Sequence, residues 1–317
     1  MQRYYKYSKF LKQKHGEKTY KLPVNLPVTC PNRDGTISKG GCDFCGEQGA
    51  GFESFPSEYS VRKQLLEHRE YIGEKYGVDK FIAYFQNFTN TYLPLEQLKK
   101  YIKQALDIED IVEISLSTRP DCVGDKYLQE IKDMVKSVKP ELVLSLELGF
   151  QTVNYHTLEQ INRGHTLAEC LDAVLTAKKY GFETGIHLIL NLPGDNMTDT
   201  IEAAKILSAL KVDNVKIHAL YIRAGTVFAE KYKKGKLKII SLEEYMERVI
   251  SFLEYLDPGI AVQRLLGRAP EENSLFVNWD SSWWKIHDMI IEQMKEKDIV
   301  QGQKFKYLNG SALKKFD

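Results

Sequence analysis

Short apolar segments alternate with longer helical patterns along most of the chain. Six of them are predicted strands: Leu22–Thr29, Lys80–Phe85, Ile111–Ser117, Leu142–Leu148, Glu183–Leu190 and Val212–Leu220. Helical patterns such as LEQLKKYIKQALD and TLAECLDAVLTAKKYG lie between them, and the second ends at Gly181 in a C-cap position. Strands joined through helices in this order pair in parallel. The sequence therefore predicts an α/β fold, with a parallel sheet and helices outside it.

The segments that follow these strands are polar or contain glycine, unlike the strands themselves. In chain order they read TCPNRDG…CDFC, QNFTNTY, STRPDC, ELGFQT, NLPGD and YIRAGT. Six strand–helix units can curl into a partial barrel or lie open as a doubly wound sheet, and both folds carry active sites at the carboxyl ends of their strands. Because packing alone does not explain six polar turns at one edge, we predict a functional site there.

Three of the five cysteines lie in the first of these turns. Cys30, Cys42 and Cys45 have the spacing C-x11-C-x2-C. The N-terminus resembles no signal peptide and no apolar run reaches about 18 residues, so we expect a cytoplasmic protein without a membrane span. Cytosolic cysteines stay reduced, and three clustered thiols then favour metal binding or catalysis over disulfide bonds.

Charge is balanced overall but not along the chain. The sequence has 44 basic and 43 acidic residues, a formal net charge of +1 that indicates no nucleic-acid partner by itself. The first 21 residues, however, carry several lysines with interleaved tyrosines and only one acidic residue, Glu17. Such a segment suits an arm that contacts RNA phosphates and bases. An equally good interpretation is a solvated helix face whose tyrosines pack on the body.

The polar turns together resemble segments of radical S-adenosylmethionine (SAM) enzymes. The features that carry this resemblance are the cysteine turn, ELGFQT with INRGHT after it, LNLPGD, and KIHALYIRAGT. More narrowly, over roughly residues 1–300 the chain is similar to the branch of the Elongator catalytic subunit and its small bacterial relatives of the YtqA/YhcC type. The resemblance implies a partial (β/α)6 TIM-like barrel. We expect a basic N-terminal arm (1–21), a radical SAM core (22–256) and a C-terminal helical extension packed on the core (257–317).

The resemblance also implies the cofactors. In this family three cysteines bind a 4Fe-4S cluster and leave one iron open for SAM, which one electron cleaves to methionine and a 5′-deoxyadenosyl radical. Cys30, Cys42 and Cys45 would be these ligands. Most of the superfamily has three residues between the first two cysteines, whereas eleven intervene here, as in the long insert of Elongator-like proteins. Such an enzyme needs an electron donor, for example flavodoxin or ferredoxin.

Other positions match the family's SAM-binding segments. The predicted cofactor-binding residues are Phe44, Gln86, Asn87, Glu147, Gln151, Arg163, His165 and Asn191. Phe44 matches an aromatic position beside the adenine, and Glu147 resembles a position near the ribose. Arg163 offers a planar fork for the SAM carboxylate, although an N-cap network on the helix from Thr166 would explain the same segment. For Asn191 the alternative is a simple turn.

Candidate residues for the substrate side lie at the same edge. We predict Arg119, Asp121 and Cys122 as catalytic residues, and Tyr221, Arg223, Gln263 and Arg264 as substrate-binding residues. The thiol of Cys122 would donate a hydrogen atom to a substrate radical, whereas a lone cysteine at a strand end is more often buried filler.

The branch resembled suggests the substrate. It implies radical chemistry at the C5 side chain of a wobble uridine in tRNA, and small bacterial relatives suggest conversion of 5-carboxymethylaminomethyl-(2-thio)uridine to the 5-aminomethyl form. One alternative is a radical SAM enzyme for a small metabolite or a protein. The other is a non-catalytic zinc or RNA-binding module, in which a fourth ligand such as His15 would complete a tetrahedral site with the cysteines.

Overall fold

A curled parallel sheet forms the centre of the protein, whose computed structural model describes residues 2–46, 49 and 54–315. Within these residues the sheet has seven strands in the order β1-β2-β3-β4-β5-β6-β8, and a separate antiparallel pair is formed by β7 and β9. The strands are β1 (Thr19–Val24), β2 (Lys80–Phe85), β3 (Ile111–Thr118), β4 (Val143–Gln151), β5 (Glu183–Ile189), β6 (Asn214–His218), β7 (Ile222–Arg223), β8 (Ala261–Arg264) and β9 (Ser274–Phe276).

Helices connect the strands and cover the outside of the sheet. In the described part of the chain they are α1 (Tyr7–His15), α2 (Val61–Tyr76), α3 (Leu95–Leu106), α4 (Asp125–Val138), α5 (Tyr155–Gln160), α6 (Leu167–Lys179), α7 (Met197–Leu210), α8 (Val227–Lys233), α9 (Leu242–Tyr255) and α10 (Trp283–Glu296). A short 3-10 turn at Pro120–Cys122 follows β3. The helices α2, α3, α4, α6 and α7 each join one parallel strand to the next.

The predicted fold class is confirmed. All six predicted strands are present and parallel, β2 has the predicted bounds, and the sheet curls into a half-barrel of the expected type. Strand β1 begins at Thr19 rather than Leu22, and it tolerates Pro23 because it lies at the edge of the sheet. The seventh strand, β8, lies in the segment expected as the C-terminal extension, and its four residues are too few for periodicity to reveal it.

Strand β4 shows how the sheet separates apolar from polar side chains. In β4, Leu144, Leu146 and Leu148 belong to the main hydrophobic core between sheet and helices. Burying each such side chain contributes about 1.5–3 kcal/mol. The alternate residues Ser145 and Glu147 point the other way and bond to side chains of other strands across the half-barrel. The inner surface is therefore polar, unlike the apolar layers that usually fill such barrels.

Helix α1 packs beneath the half-barrel, at the amino-terminal ends of the strands. Its Lys14 Nζ lies 2.7 Å from Glu113 Oε2 and 2.6 Å from Glu183 Oε2, and His15 Nε2 lies 3.2 Å from the same Glu113 oxygen. Part of the basic arm is thus paired inside the protein. The lysines of this segment with exposed side chains are Lys6, Lys9, Lys12 and Lys18.

The C-terminal segment packs on the same core. Helix α10 buries Ile286, Ile290 and Met294, while Trp279 donates from Nε1 to the Ile240 carbonyl at 2.8 Å. Trp283 and Trp284 do not pack this helix against the body, since 44% and 58% of their surfaces are exposed. Among the described residues no helix has the length and apolar character needed to cross a membrane.

Candidate active site

A cavity opens at the carboxyl ends of the parallel strands. It lies between the cysteine turn on one side and the ends of β6 and β8 on the other. Ten predicted site residues line it: Cys30, Cys42, Phe44, Cys45, Gln86, Arg119, Gln151, Arg163, Tyr221 and Arg264. The other predicted residues lie behind this lining: Asn87, Asp121, Cys122, Glu147, His165, Asn191, Arg223 and Gln263. The polar turns thus converge, although not every polar residue in them faces the cavity.

Each of the three cysteines has an arginine beside its sulfur. Arg119 Nη1 lies 3.9 Å from Cys30 Sγ. Arg163 Nη1 lies 3.4 Å from Cys42 Sγ, and Arg33 Nη1 lies 3.5 Å from Cys45 Sγ. A guanidinium stabilises the thiolate form of a cysteine, which is the form that binds metal. This arrangement fits three thiolate ligands held around one ligand-sized space.

The cysteine turn is anchored by the INRGH segment after α5. Asn162 donates from Nδ2 to the Gly41 carbonyl at 2.8 Å and accepts from the Asn32 amide at its own carbonyl at 2.5 Å. Asp43 donates its backbone N–H to the Ile161 carbonyl at 3.0 Å. These bonds join parts of the chain more than 100 residues apart. They hold the loop between the first two cysteines, which has eleven residues instead of three and would otherwise be poorly constrained.

Gly164 is the tightest point of this anchor. Its φ is +77°, and a Cβ at this position would lie 2.6 Å from Asn32 Oδ1 and 2.9 Å from Ile37 Cγ2. We expect Gly164→Ala to displace the cysteine turn and to lower the iron bound after reconstitution by at least half, measured by iron analysis. Gly181→Ala is the matched control, because its φ is +75° but a Cβ added there would have no atom within 4 Å. Equal iron in both variants would contradict the anchoring role.

Arg119 and Asp121 form a buried ion pair rather than an open pair of reactive groups. Arg119 binds Asp121 through Nε and Nη2 at 2.8 and 2.7 Å and donates to the Arg163 carbonyl at 2.9 Å. The guanidinium is only 2% exposed at the side chain. Cys122 lies behind this pair, and burial together with the charge of Asp121 raises the pKa of its thiol to about 12. A neutral thiol is the form that donates a hydrogen atom, but Cys122 does not line the cavity.

Arg163 bridges the cysteine turn and the end of β4. Besides its contact with Cys42, it donates from Nη2 to the Gly149 carbonyl at 2.6 Å. A side chain at Gly149 would lie 2.9 Å from this Nη2 and 2.8 Å from Gln151 Nε2, so glycine is needed for the close approach. Gln151 and Arg163 consequently line the same part of the cavity.

Three predicted SAM contacts do not line the cavity and have surroundings within the protein: Asn87, His165 and Asn191. Asn191 Oδ1 accepts from the backbone N–H of Leu220 at 2.6 Å and ties the ends of β5 and β6 together. Asn87 donates to Asn25 Oδ1 at 3.1 Å. Burial and the charge of Arg163 lower the pKa of His165 to about 2, so its ring is neutral. The capping box on α6 is formed by Thr166 with Glu169 and does not use Arg163 or His165.

Glu147 is the centre of a charged cluster beneath the cavity. It accepts hydrogen bonds from His187 Nε2 and Gln263 Nε2, both at 2.7 Å, and from Lys21 Nζ. Lys216 Nζ lies 3.4 Å from Glu147 Oε2. Burial opposes ionisation of Glu147, but the neighbouring cations outweigh it and hold the pKa of this carboxyl well below its usual value. Glu147 was predicted to contact SAM and Gln263 to contact the substrate. In the structure the two side chains are hydrogen-bonded to each other beneath the cavity.

The far wall of the cavity is basic. Arg264 Nη2 donates to His218 Nδ1 at 2.8 Å, and burial with the charge of Arg264 lowers the pKa of His218 well below its usual value. Arg268 is exposed at the mouth, and Tyr221 lies between this wall and the cysteines. Arg223 lies behind Gly46, next to Cys45. This wall faces the arginines of the cysteine turn across the cavity.

Four cavity-lining residues on the strands had not been expected from the sequence: Tyr84, His187, Lys216 and His218. A signal for two of them exists, because β6 reads NVKIH, with polar residues at every second position. Period-two alternation indicates that one face of a strand is polar. In a partial barrel, this alternation predicts that the polar face of the strand lines the interior.

The cysteine cluster does not meet the requirements of a single metal ion. Within residues 2–46, 49 and 54–315, no three or more Cys, His, Asp or Glu side chains are arranged to hold one ion. In an iron–sulfur cluster each thiolate binds a different iron, so the sulfurs need not meet at one point. Three thiols around the cavity, each beside a cation, are a donor set that suits such a cluster.

Comparison with known proteins gives two matching families and several relatives. Residues 25–207 match the Radical SAM superfamily and residues 212–296 match the Radical_SAM C-terminal domain. The chain is 33% identical over 306 residues to "Uncharacterized protein YtqA" of Bacillus subtilis, covering 96% of this chain and 94% of that protein. It is 27% identical over 277 residues to "tRNA uridine(34) acetyltransferase" of Methanocaldococcus jannaschii, covering 74% of this chain and 48% of that protein.

One solved structure resembles the whole fold. The archaeal Methanocaldococcus infernus Elp3 with an N-terminal deletion superposes with a TM-score of 0.69 at 18% identity, and the match covers 89% of this chain and 64% of that chain. At this identity the likeness concerns the fold alone. It includes the curled parallel sheet and the helices around it.

Proposed function

The chain belongs to the radical SAM superfamily, and from this we infer that it removes the carboxymethyl group from the C5 side chain of a wobble uridine in tRNA. Membership supports an enzyme with a 4Fe-4S cluster and SAM, as the sequence predicts, and such enzymes need an electron donor. The proposed conversion is 5-carboxymethylaminomethyl-(2-thio)uridine to 5-aminomethyl-(2-thio)uridine. With tRNA as substrate, the protein would act in the cytoplasm.

The observation that carries the proposal is the pairing of the cysteine turn with a basic wall across one cavity. Cys30, Cys42 and Cys45 would hold the cluster, which supplies the electron that cleaves SAM to methionine and a 5′-deoxyadenosyl radical. Arg264 lines the same space from the end of β8, and Tyr221 lies between it and the cysteines. A substrate that carries a carboxylate beside its reactive C–H bond fits between the cysteine turn and the basic wall.

The proposed reaction is a two-electron oxidation followed by hydrolysis. The radical takes one hydrogen atom from the methylene between nitrogen and carboxylate, where both neighbours stabilise the substrate radical. In total, the side chain loses two electrons and two protons as N–CH2 becomes the imine N=CH. SAM would be the oxidant, because its conversion to methionine and 5′-deoxyadenosine takes up two electrons and one proton, and the second proton of the side chain would pass to water. Water then breaks the C–N bond and gives the aminomethyl nucleoside and glyoxylate.

The carboxylate needs a cation, and Arg119 and Arg264 are the two candidates among the predicted site residues. Arg119 lines the cavity but is buried and bound bidentately to Asp121. Arg264 contacts the neutral ring of His218 and lines the cavity. We therefore assign the carboxylate to Arg264, because Arg119 is already paired with Asp121. The relative named as a tRNA uridine(34) acetyltransferase supports a uridine substrate.

The wobble nucleosides of a deletion strain test this function. We expect its tRNA to accumulate 5-carboxymethylaminomethyl-(2-thio)uridine and to lack the 5-aminomethyl form, measured by nucleoside mass spectrometry. The wild-type gene should restore the product, and a gene encoding the Cys30→Ala, Cys42→Ala, Cys45→Ala variant should not. Identical nucleosides in the deletion strain and its parent would make the assignment wrong.

The exposed lysines of α1 allow a test of whether this helix binds tRNA. If tRNA is bound partly by this helix, Lys9→Glu with Lys12→Glu should raise the KM for tRNA about tenfold, because phosphate contacts are lost. SAM cleavage without tRNA should not change. The matched control is Lys100→Glu with Lys103→Glu, since these lysines have the same spacing and exposure on α3. Equal KM values for tRNA in the two double variants would contradict tRNA binding by α1, and a wild-type enzyme that is inactive on tRNA would favour the small-substrate alternative.

A further inference from the structure

We propose that Lys216 is the proton acceptor for the substrate's secondary amine. Lys216 lies on β6, its side chain points into the half-barrel, and it lines the floor of the cavity below the cysteine turn and the basic wall. This inference rests on the proposed function, because it concerns the nitrogen beside the methylene that is oxidised. It adds a catalytic residue that the polar turns do not contain.

The contacts of Lys216 are long compared with those of its neighbours. Its Nζ lies 3.3 Å from Tyr84 Oη and 3.4 Å from Glu147 Oε2. Glu147 has shorter bonds to His187 and Gln263, both at 2.7 Å. Hydrogen bonds of an ammonium to a carboxylate are normally about 2.7–2.9 Å. The charged cluster therefore positions Lys216 through long contacts only, and its amine can reach a ligand in the cavity.

The charges around Lys216 favour its neutral form. It is faced by Lys21 from β1, Tyr84 from β2, Glu147 from β4, His187 from β5, and Arg264 and Gln263 from β8, with His218 on its own strand. Glu147 is the carboxylate among these groups, and burial lowers the pKa values of His187 and His218, so both rings are neutral. Burial, with the charges of Lys21 and Arg264, lowers the pKa of Lys216 to about 7 against the opposing effect of Glu147. An amine that titrates near neutrality suits proton transfer at working pH.

The proposed chemistry needs such a group. A secondary amine is largely protonated near neutral pH, and an ammonium cannot stabilise a radical on the adjacent carbon. Lys216 Nζ takes the N–H proton from the substrate before the C–H bond breaks, so the nitrogen lone pair becomes available. When water has added and the C–N bond breaks, the Lys216 ammonium returns this proton to the departing amine nitrogen. Lys216 thus ends each cycle neutral.

The test compares Lys216→Met and Lys216→Arg with wild type, each reconstituted and assayed with tRNA between pH 6 and 9. We expect both variants to keep their iron and their tRNA-independent SAM cleavage, and to form the aminomethyl nucleoside about 100-fold more slowly at pH 7. The deficit should shrink at high pH, where solvent removes the proton. Lys80→Met is the control, because Lys80 pairs with Glu17 outside the cavity.

Two results would overturn the role of Lys216. If Lys216→Met formed the aminomethyl nucleoside at the wild-type rate, Lys216 would be excluded as the proton acceptor. If Lys216→Arg did so, only a positive charge would be needed, because arginine does not release its proton. A wild-type enzyme that never forms the aminomethyl product would instead overturn the proposed function. The two failures are thus distinguished by the wild-type reaction.

A measurement without substrate checks the titration of Lys216 directly. In the window between its folded pKa of about 7 and its usual value of 10.5, the unfolded chain binds the extra proton, so stability rises with pH. We expect the Tm of wild type relative to Lys216→Met to increase from pH 7 to pH 9.5 in the apoprotein. An unchanged Tm difference across this range would show an ordinary lysine and overturn the proposal.

Discussion

Replacing the three clustered cysteines by alanine is expected to abolish both the cluster and the cleavage of SAM. After anaerobic reconstitution, the Cys30→Ala, Cys42→Ala, Cys45→Ala variant should contain no 4Fe-4S cluster by absorbance and iron analysis, and should form no 5′-deoxyadenosine after reduction. The reason is that these thiols line one cavity, each beside an arginine that favours its thiolate. The expected loss is complete rather than partial, because the cluster has no other protein ligands in the proposal.

The remaining cysteines provide the control for this experiment. Cys170 is buried on α6 with its sulfur 3.7 Å from His165 Nδ1, and Cys122 lies behind the Arg119–Asp121 pair. Cys170→Ala and Cys122→Ala should both keep full iron content, because neither sulfur lines the cavity. Zinc in the purified protein, with no cluster and no SAM cleavage after reconstitution, would contradict the assignment of the cysteine site.

Replacing Glu147 by glutamine is expected to destabilise the fold strongly. Its carboxylate is 3% exposed at the side chain and compensates the charge of Lys21. Removing one partner of a buried ion pair typically costs about 3–5 kcal/mol, because the other charge remains without compensation. We expect a loss of this size in the free energy of unfolding of the apoprotein at pH 7.5, measured by urea denaturation.

The pH dependence of this effect has a definite sign. Because the pKa of Glu147 is well below its usual value when folded, its contribution is present above about pH 4.3, the unfolded value, and is lost as the pH falls further. The difference in the free energy of unfolding between wild type and Glu147→Gln should therefore become smaller in acid. Glu244→Gln is the control, since Glu244 is 48% exposed and its pair with Arg248 should contribute less than about 1 kcal/mol. Equal losses in the two variants would contradict the central role of Glu147.

Much of the fold could be predicted because its signals are local. The pattern KFIAYF marks β2 at its observed bounds, and the polar turns mark the edge where the cavity opens. The family resemblance rests on the same turns and is confirmed by the match over residues 25–207. By contrast, β8 has only four residues, and its pairing with β6 depends on a partner about 45 positions away. Local patterns carry little information about such a short strand.

The sequence pattern alone was enough to indicate the parallel α/β order, the edge that bears the cavity and the three cysteines as a group. Periodicity assigns a residue to one face of a strand, but it does not identify the side chain opposite. Only the tertiary structure pairs Arg163 with Cys42, Asn32 with Asn162, and Lys216 with Glu147 across the half-barrel. These contacts join distant segments and depend on sheet curvature and register, which arise when the whole core packs.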